Sequence, residues 1–411
     1  MKKVLVIAVL MCILCGCYRT VPTVEFETIE TTEAVEVIEP VRSVPQVYFY
    51  PFGQTGQHKN VSLEVGEVED MELSLEEFKI SIPQEANLSS YFLHGEKLYY
   101  SYNFYNYIYA EYEKREERLL DEAYQTILMC YDVNENTTTL IAKYPNNTSI
   151  SEMNVSGDYL SLSLRTQVEY PGSQYGSEIE YDTVIMHIAE DSVQEVELKN
   201  SAMLEQKFVS IVDGKYALTC NSTVRNTINK LGKINLETDI VEYIMLEEEY
   251  DFVSYSKGYL IMESSDEELH KIDIYDLDGE YVVGFKVESL PYDVVCNDKV
   301  CAWTMADIDG EGCLLYVYRF EDNEIFVMDG YKYSNWLVCD EYRVYFEGDY
   351  QSGISCYDSY YNAICKTLGG REQYEILSGE QGGIFGQVTD MLSSTIEIND
   401  GEMVYKFYMS K

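Results

Sequence analysis

Tryptophan, proline and histidine are scarce in this 411-residue chain, which has 2, 8 and 4 of them. The histidines, at 58, 94, 187 and 270, form no HExxH pair, which excludes a zinc-protease helix. No G-x-S-x-G elbow, P-loop or dinucleotide fingerprint occurs, so no cofactor is expected. Basic residues are few as well: 29 Lys and Arg stand against 72 Asp and Glu, for a formal charge of −43. Phosphate binding needs clustered Lys and Arg, so nucleic acid is not expected as a partner. That charge favours solubility and repels anionic membrane surfaces.

The longest uncharged apolar stretch near the start, Val4 to Leu14, follows Lys2-Lys3. It is too short to cross a bilayer, which takes about 20 residues, and reads as a targeting segment. Next comes Leu14-Cys15-Gly16-Cys17. This resembles the lipobox of bacterial lipoproteins, with an aliphatic residue three places before the final Cys and a small residue directly before it. The resemblance implies a signal peptide over 1–16, cleavage before Cys17, and a lipid on the Cys17 thiol that anchors the chain to the outside of the bacterial cell membrane. Two acyl chains anchor stably where one does not. The other reading is an ordinary secretory signal. Residues 17–45, rich in Thr, Glu and Val with Pro22, Pro40 and Pro45, read as a flexible, charge-extended tether.

What the chain has in quantity is tyrosine, 39 of them, a residue suited to strands with the ring buried and the hydroxyl at a partner. Tyr131-Asp132, Ile188, Ile234, Tyr275-Asp276, Tyr318, Tyr357-Asp358 and Ile398 each close one β-rich run before a turn. These marks recur at roughly forty-residue intervals, with about four strands to each interval, the signature of a β-propeller. Both faces of each sheet are apolar, so only stacking unit on unit buries them. The fold class expected is all-β: a seven-bladed propeller of four-stranded antiparallel blades over 88–411, with eight blades as the alternative. Residues 46–87 are read as an N-terminal β extension that packs on the propeller or completes it. The last unit reads as supplying its own fourth strand, Met403 to Met409, with no strand borrowed for closure.

The whole is similar to bacterial surface lipoproteins carrying a TolB-like or quinoprotein-like propeller. That similarity rests on the lipobox and on the Tyr-Asp pairs at 131, 275 and 357 before hairpin turns. The Trp-Asp endings of WD40 repeats, the YWTD repeat and sialidase Asp-boxes are missing, and two tryptophans are too few for quinoprotein docking. Architecture carries over; activity does not.

Sites are sought where loops lengthen, because loops on a rigid scaffold carry function. The connections between second and third strands are long at Asn103 to Tyr124 and Val168 to Asp182. The second offers Tyr170, Tyr175, Tyr181, Glu178 and Glu180 as a ligand-binding set. Asp307, Asp309 and Glu311 alternate in a way that suits oxygen ligation of a divalent ion, without a complete calcium loop. Eight cysteines follow Cys17, several at equivalent repeat positions, which suits core packing rather than bonding to one another. The function these features point to is binding or scaffolding of an envelope protein, peptide or glycan, without catalysis of its own. The alternative is a glycan-active hydrolase or lyase with carboxylates at the propeller channel.

Overall fold

The structure is a computed structural model that describes residues 47–50, 59–60, 63–64, 75–104, 125–145, 147–169, 177–189, 192–197, 207–220, 227–265, 269–288, 290–306, 313–331, 337–347, 354–359, 363–368, 373–377, 384–388, 397–399 and 402–410. Among them the chain forms seven sheets, taken here as I to VII. Sheet I is Asn87–His94, Lys97–Asn103, Thr126–Asp132 and Thr137–Tyr144. Sheet II is Thr148–Ser156, Tyr159–Glu169, Ser177–Ala189 and Ser192–Glu195. Sheet III comprises Lys207–Val212, Tyr216–Cys220, Ile228–Asn235 and Val241–Tyr250. Phe252–Ser256, Tyr259–Ser265, His270–Asp276 and Tyr281–Val287 make sheet IV. Pro291–Cys296, Val300–Ala306, Cys313–Arg319 and Glu324–Tyr331 make sheet V, and Leu337–Cys339, Arg343–Glu347, Ile354–Asp358 and Ala363–Leu368 make sheet VI. In these six sheets consecutive strands pair antiparallel in chain order, the β-propeller arrangement of meandering blades.

Why the units repeat is visible in single strands. Along Tyr259–Ser265, Leu260 and Met262 pack toward sheet III, while Ile261 packs toward sheet V. Along Val300–Ala306, Cys301, Trp303 and Met305 face sheet IV, and Val300 and Ala302 face sheet VI. Successive residues of a strand point to opposite faces, so an unbroken apolar run buries both. The joint between IV and V is the richest: Phe285 lies 4.7 Å from Trp303, which stacks on Tyr316 at 5.6 Å. Burying side chains of this size contributes about 1.5–3 kcal/mol each.

Polar stitches repeat where the inner strands enter their first turn. Ser256 Oγ donates to the Cys296 carbonyl (2.8 Å) and accepts from its N–H (3.0 Å), joining IV to V. Asn297 Nδ2 donates to the Asp340 carbonyl at 3.0 Å, joining V to VI. Gly214 N–H donates to Ser156 Oγ at 3.0 Å, joining II to III. The thiols of Cys130, Cys220, Cys296, Cys301, Cys313, Cys339 and Cys356 are free, and all but Cys130 are buried.

The ends of the chain overturn one expectation. Sheet VII starts with Gln373–Leu377 paired to Ile384–Val388, which pairs directly with Glu402–Ser410, Ile384 opposite Met409, so 402–410 is its third strand. Its other side pairs along its whole length with Leu75–Pro83, from Glu402 opposite Pro83 to Ser410 opposite Leu75. The last sheet therefore borrows its fourth strand from ahead of the first sheet. Ile398 consequently marks a short strand, Glu397–Asn399, paired back on 402–404, and not the end of a third strand. The borrowed strand is held by packing as well as by its ladder: Phe78 lies 5.5 Å from Phe407 and 5.8 Å from Tyr131 of sheet I. Upstream, Val47–Tyr50 adds to the outer strand of sheet IV, and Leu63–Glu64 pairs in parallel with the outer strand of sheet V.

Candidate functional site

The antiparallel meander sets the start of each first strand beside the end of the second, away from the first turn. There the inner strands share an irregularity. Register slips by one residue between Leu88 and Ser90, opposite Ser163 and Leu164 in sheet II, between Phe208 and Ser210, and between Pro291 and Val294. A bulge of this kind kinks the strand and re-aims its side chains. In sheet V the bulged residues are Tyr292 and Asp293. Tyr292 is left 54% exposed, and Asp293 reaches sheet VI, where its Oδ2 accepts the Leu337 N–H at 2.8 Å.

Beside it, Glu263 of sheet IV closes the apolar run Tyr259-Leu-Ile-Met. It lies directly opposite Phe252 on the same face of the sheet, and Phe252 is 57% exposed. Burial pushes the Glu263 carboxyl up, and the nearby Asp293 charge pushes it further, to about 7. Burial likewise raises Asp293, to about 6, against the lowering effect of the Leu337 and Val294 N–H groups. Neighbouring sheets IV and V thus set two partly desolvated carboxyl groups within electrostatic reach of each other, with exposed Phe252 opposite Glu263 and exposed Tyr292 next to Asp293 in the chain. Asp251 Oδ2 accepts the Ser265 N–H at 3.0 Å, and Ser265 Oγ meets His270 Nδ1 at 2.8 Å, adding a polar lip. Such a pair can exchange a proton, or shed the proton it holds when a cation arrives.

A second charged group is structural. Asp273 is fully buried and its Oδ2 accepts from Lys271 Nζ (2.8 Å) and Tyr250 Oη (2.6 Å), with Tyr275 Oη 2.8 Å from Tyr250 Oη and Glu248 paired to Lys271. Burial and the Asp273 charge push the Tyr250 hydroxyl far above its ordinary range, so it stays a donor. This network ties sheet III to sheet IV. A separate concavity of about 250 Å³, lined by His94, Glu96, Lys97, Asp132 and Asp158 among others, lies at the turn end of sheets I and II.

Of the residues expected to bind ligand, Tyr181 is 72% exposed, opposite Arg165. Glu180 is exposed opposite Thr166, and Glu178 pairs with Val168. They sit on a hairpin longer than the sequence suggests: Tyr159–Glu169 and Ser177–Ala189 carry strand pairing into the stretch read as loop. Cys17, Tyr170, Tyr175, Asp307, Asp309 and Glu311 lie outside the described residues. Among the described residues no group of three or more His, Cys, Asp or Glu is placed to hold a metal. Sequence reasoning missed Glu263 and Asp293. The usable signal was a carboxylate interrupting an apolar strand, at Met262-Glu263 and at Tyr292-Asp293-Val294.

No family model and no curated protein matches this chain. Among solved structures it is similar to the β-propeller domain of the Trilobed protease from Pyrococcus furiosus, at 14% identity and TM-score 0.46, covering 74% of this chain and 92% of that one. It is similar to Pyrococcus horikoshii acylaminoacyl peptidase at 12% identity and TM-score 0.49, over 75% of this chain. The match spans about half, 51%, of that peptidase. TolB from Acinetobacter baumannii is similar at 11% identity and TM-score 0.34, over 59% of this chain and 57% of its own.

Proposed function

We propose that this chain is a lipid-anchored, extracytoplasmic binding module built on a closed seven-bladed β-propeller. Cys17 carries the lipid, and 17–45 holds the blades off the membrane. Two observations support the closed ring: the pairing of Leu75–Pro83 with Glu402–Ser410, and the packing of Phe78 and Phe407 with Leu98 and Tyr131 of sheet I. The ligand is a peptide, protein or glycan with a cationic group, taken at the connection end. The observation that carries this reading is the placing of exposed Phe252 opposite Glu263 and of exposed Tyr292 next to Asp293 in the bulge of the neighbouring sheet, the two carboxyls being within electrostatic reach. Aromatic faces and carboxylates together suit an amine or guanidinium. Tyr170, Tyr175, Tyr181, Glu178 and Glu180, from the second-to-third connection of sheet II, would extend the contact.

The test is thermal stabilisation of the full chain, in a neutral detergent, by cell-wall peptides and glycans with and without free amines. Amine-bearing ligands raise the melting temperature at pH 8, and the Glu263→Gln/Asp293→Asn variant loses that rise. An equal rise in the variant would sink the reading.

A second reading, a glycan-active hydrolase or lyase, is favoured by the same pair. A carboxyl group held at about 7 is a suitable general acid near neutral pH. Release of product from a labelled glycan, abolished by Glu263→Gln while binding persists, would decide for it.

A further inference from the structure

The outer margin of sheet III carries a separate conclusion. Its last strand, Val241–Tyr250, has no further strand paired to it among the described residues. The matching strands of the next two sheets do: Tyr281–Val287 takes Val47–Tyr50, and Glu324–Tyr331 takes Leu63–Glu64. Outer margins of this molecule are therefore competent to accept an added strand.

The register identifies what sheet III offers. Asn235 N–H donates to the Ile240 carbonyl at 2.9 Å, so these two form a hydrogen-bonded pair. Such pairs alternate along an antiparallel ladder. Val241, Tyr243 and Met245, opposite Ile234, Gly232 and Lys230, then fall in the intervening pairs, with backbone N–H and C=O directed outward. Their side chains share the face turned to sheet II. The outer strand of sheet II, Ser192–Glu195, is short, and Met245 is left 67% exposed, with Tyr243 at 50% and Ile240 at 61%. Lys230 Nζ sits 3.4 Å over the Tyr243 ring. On the other face Ile244 is buried, and its Cγ2 would lie 2.7 Å from a β-carbon on Gly279 of sheet IV. The strand is thus fixed on one side and half-exposed on the other.

Charge selects the occupant. Glu242 and Glu249 are exposed on the same strand, where Glu248 is paired to Lys271, and Glu195 is exposed on the outer strand of sheet II. A second copy would bring its own −43, and residues 18–45 would bring Glu25, Glu27, Glu30, Glu33, Glu36 and Glu39. Like charges set opposite across a ladder destabilise it. We propose that the Val241–Tyr250 margin is a strand-addition site for an extended cationic segment of a partner protein, in which Lys or Arg alternates with apolar residues. Main-chain bonds to Val241 and Met245 would supply affinity; Met245, Tyr243 and the glutamates would supply selectivity.

The test uses the full chain in a neutral detergent and a fluorescent peptide alternating lysine with valine, read by anisotropy. A peptide alternating glutamate with valine is the control. Met245→Pro removes an outward N–H that the ladder to Lys230 does not use, and proline is tolerated on edge strands. Met245→Lys keeps the backbone and adds a repelling charge. Each variant should keep the wild-type melting temperature to within a few degrees and weaken the lysine peptide about tenfold or more. Unchanged affinity in Met245→Lys, or equal binding of the two peptides, would overturn the proposal. Self-association of the chain through this margin in sedimentation would overturn it as well.

Discussion

Gly157 and Gly214 meet across the joint between sheets II and III so closely that a β-carbon on Gly157 would stand 2.8 Å from the Gly214 Cα. Both have left-handed backbone, φ +57° and +61°, and the Gly214 N–H is held by Ser156 Oγ. Gly157→Ala therefore combines an unfavourable conformation with a clash against backbone, which cannot swing away. The expected loss is about 2–4 kcal/mol, checked by urea denaturation. Gly95 has the same kind of φ, but a β-carbon added there would meet nothing within 4 Å. Its replacement by Ala should lose less, about 1–2 kcal/mol.

Glu263 should make stability fall as pH rises. Its carboxyl is raised from 4.5 to about 7, so the folded state holds a proton that the unfolded state has released. Its contribution is fully present below about pH 4.5 and is lost as pH climbs through 7. Glu263→Gln should accordingly be near neutral at pH 4.5 and stabilising by about 1–3 kcal/mol at pH 8. Calorimetry at the two pH values checks it; a gain of equal size at both would contradict the assignment.

Lys271→Met leaves Asp273 buried without its cation, which is expected to cost about 3–5 kcal/mol. Replacing both with apolar residues of similar volume should recover most of that loss, because a buried pair contributes little beyond the apolar packing it displaces. A double-mutant cycle by chemical denaturation gives the coupling.

Phe78→Ala should loosen the joint between the last sheet and the first, at about 3–5 kcal/mol. Hydrogen exchange should rise first in 402–410 and 75–83, ahead of the strands around Trp303. Uniform loss of protection across all sheets would argue against a local seam.

The repeat was legible because its cause is local. Tyr131, Ile188, Ile234, Tyr275, Tyr318 and Tyr357 all fall near the ends of third strands, where apolar residues on alternate faces meet a polar turn. The seventh mark failed for a physical reason. Pairing of Leu75–Pro83 with Glu402–Ser410 is a contact between distant parts of the chain, and nothing near Ile398 announces it. The acid pair was hidden in the same way. Glu263, Asp293 and the Leu337 N–H belong to three sheets, and their meeting depends on a bulge at Tyr292 that no turn residue signals. Tyr181 and Glu180 were singled out as part of a lengthened loop, but the hairpin continues through polar residues that read as one.

The borrowed strand also sets a schedule. Leu75–Pro83 leaves the ribosome more than three hundred residues ahead of its mate, Glu402–Ser410. Until Ser410 emerges, those nine residues have an unfilled appointment, while the sheets between them can assemble in turn. A chain cut short before Glu402 would therefore leave Leu75–Pro83 without its ladder and Phe78 without the Phe407 ring.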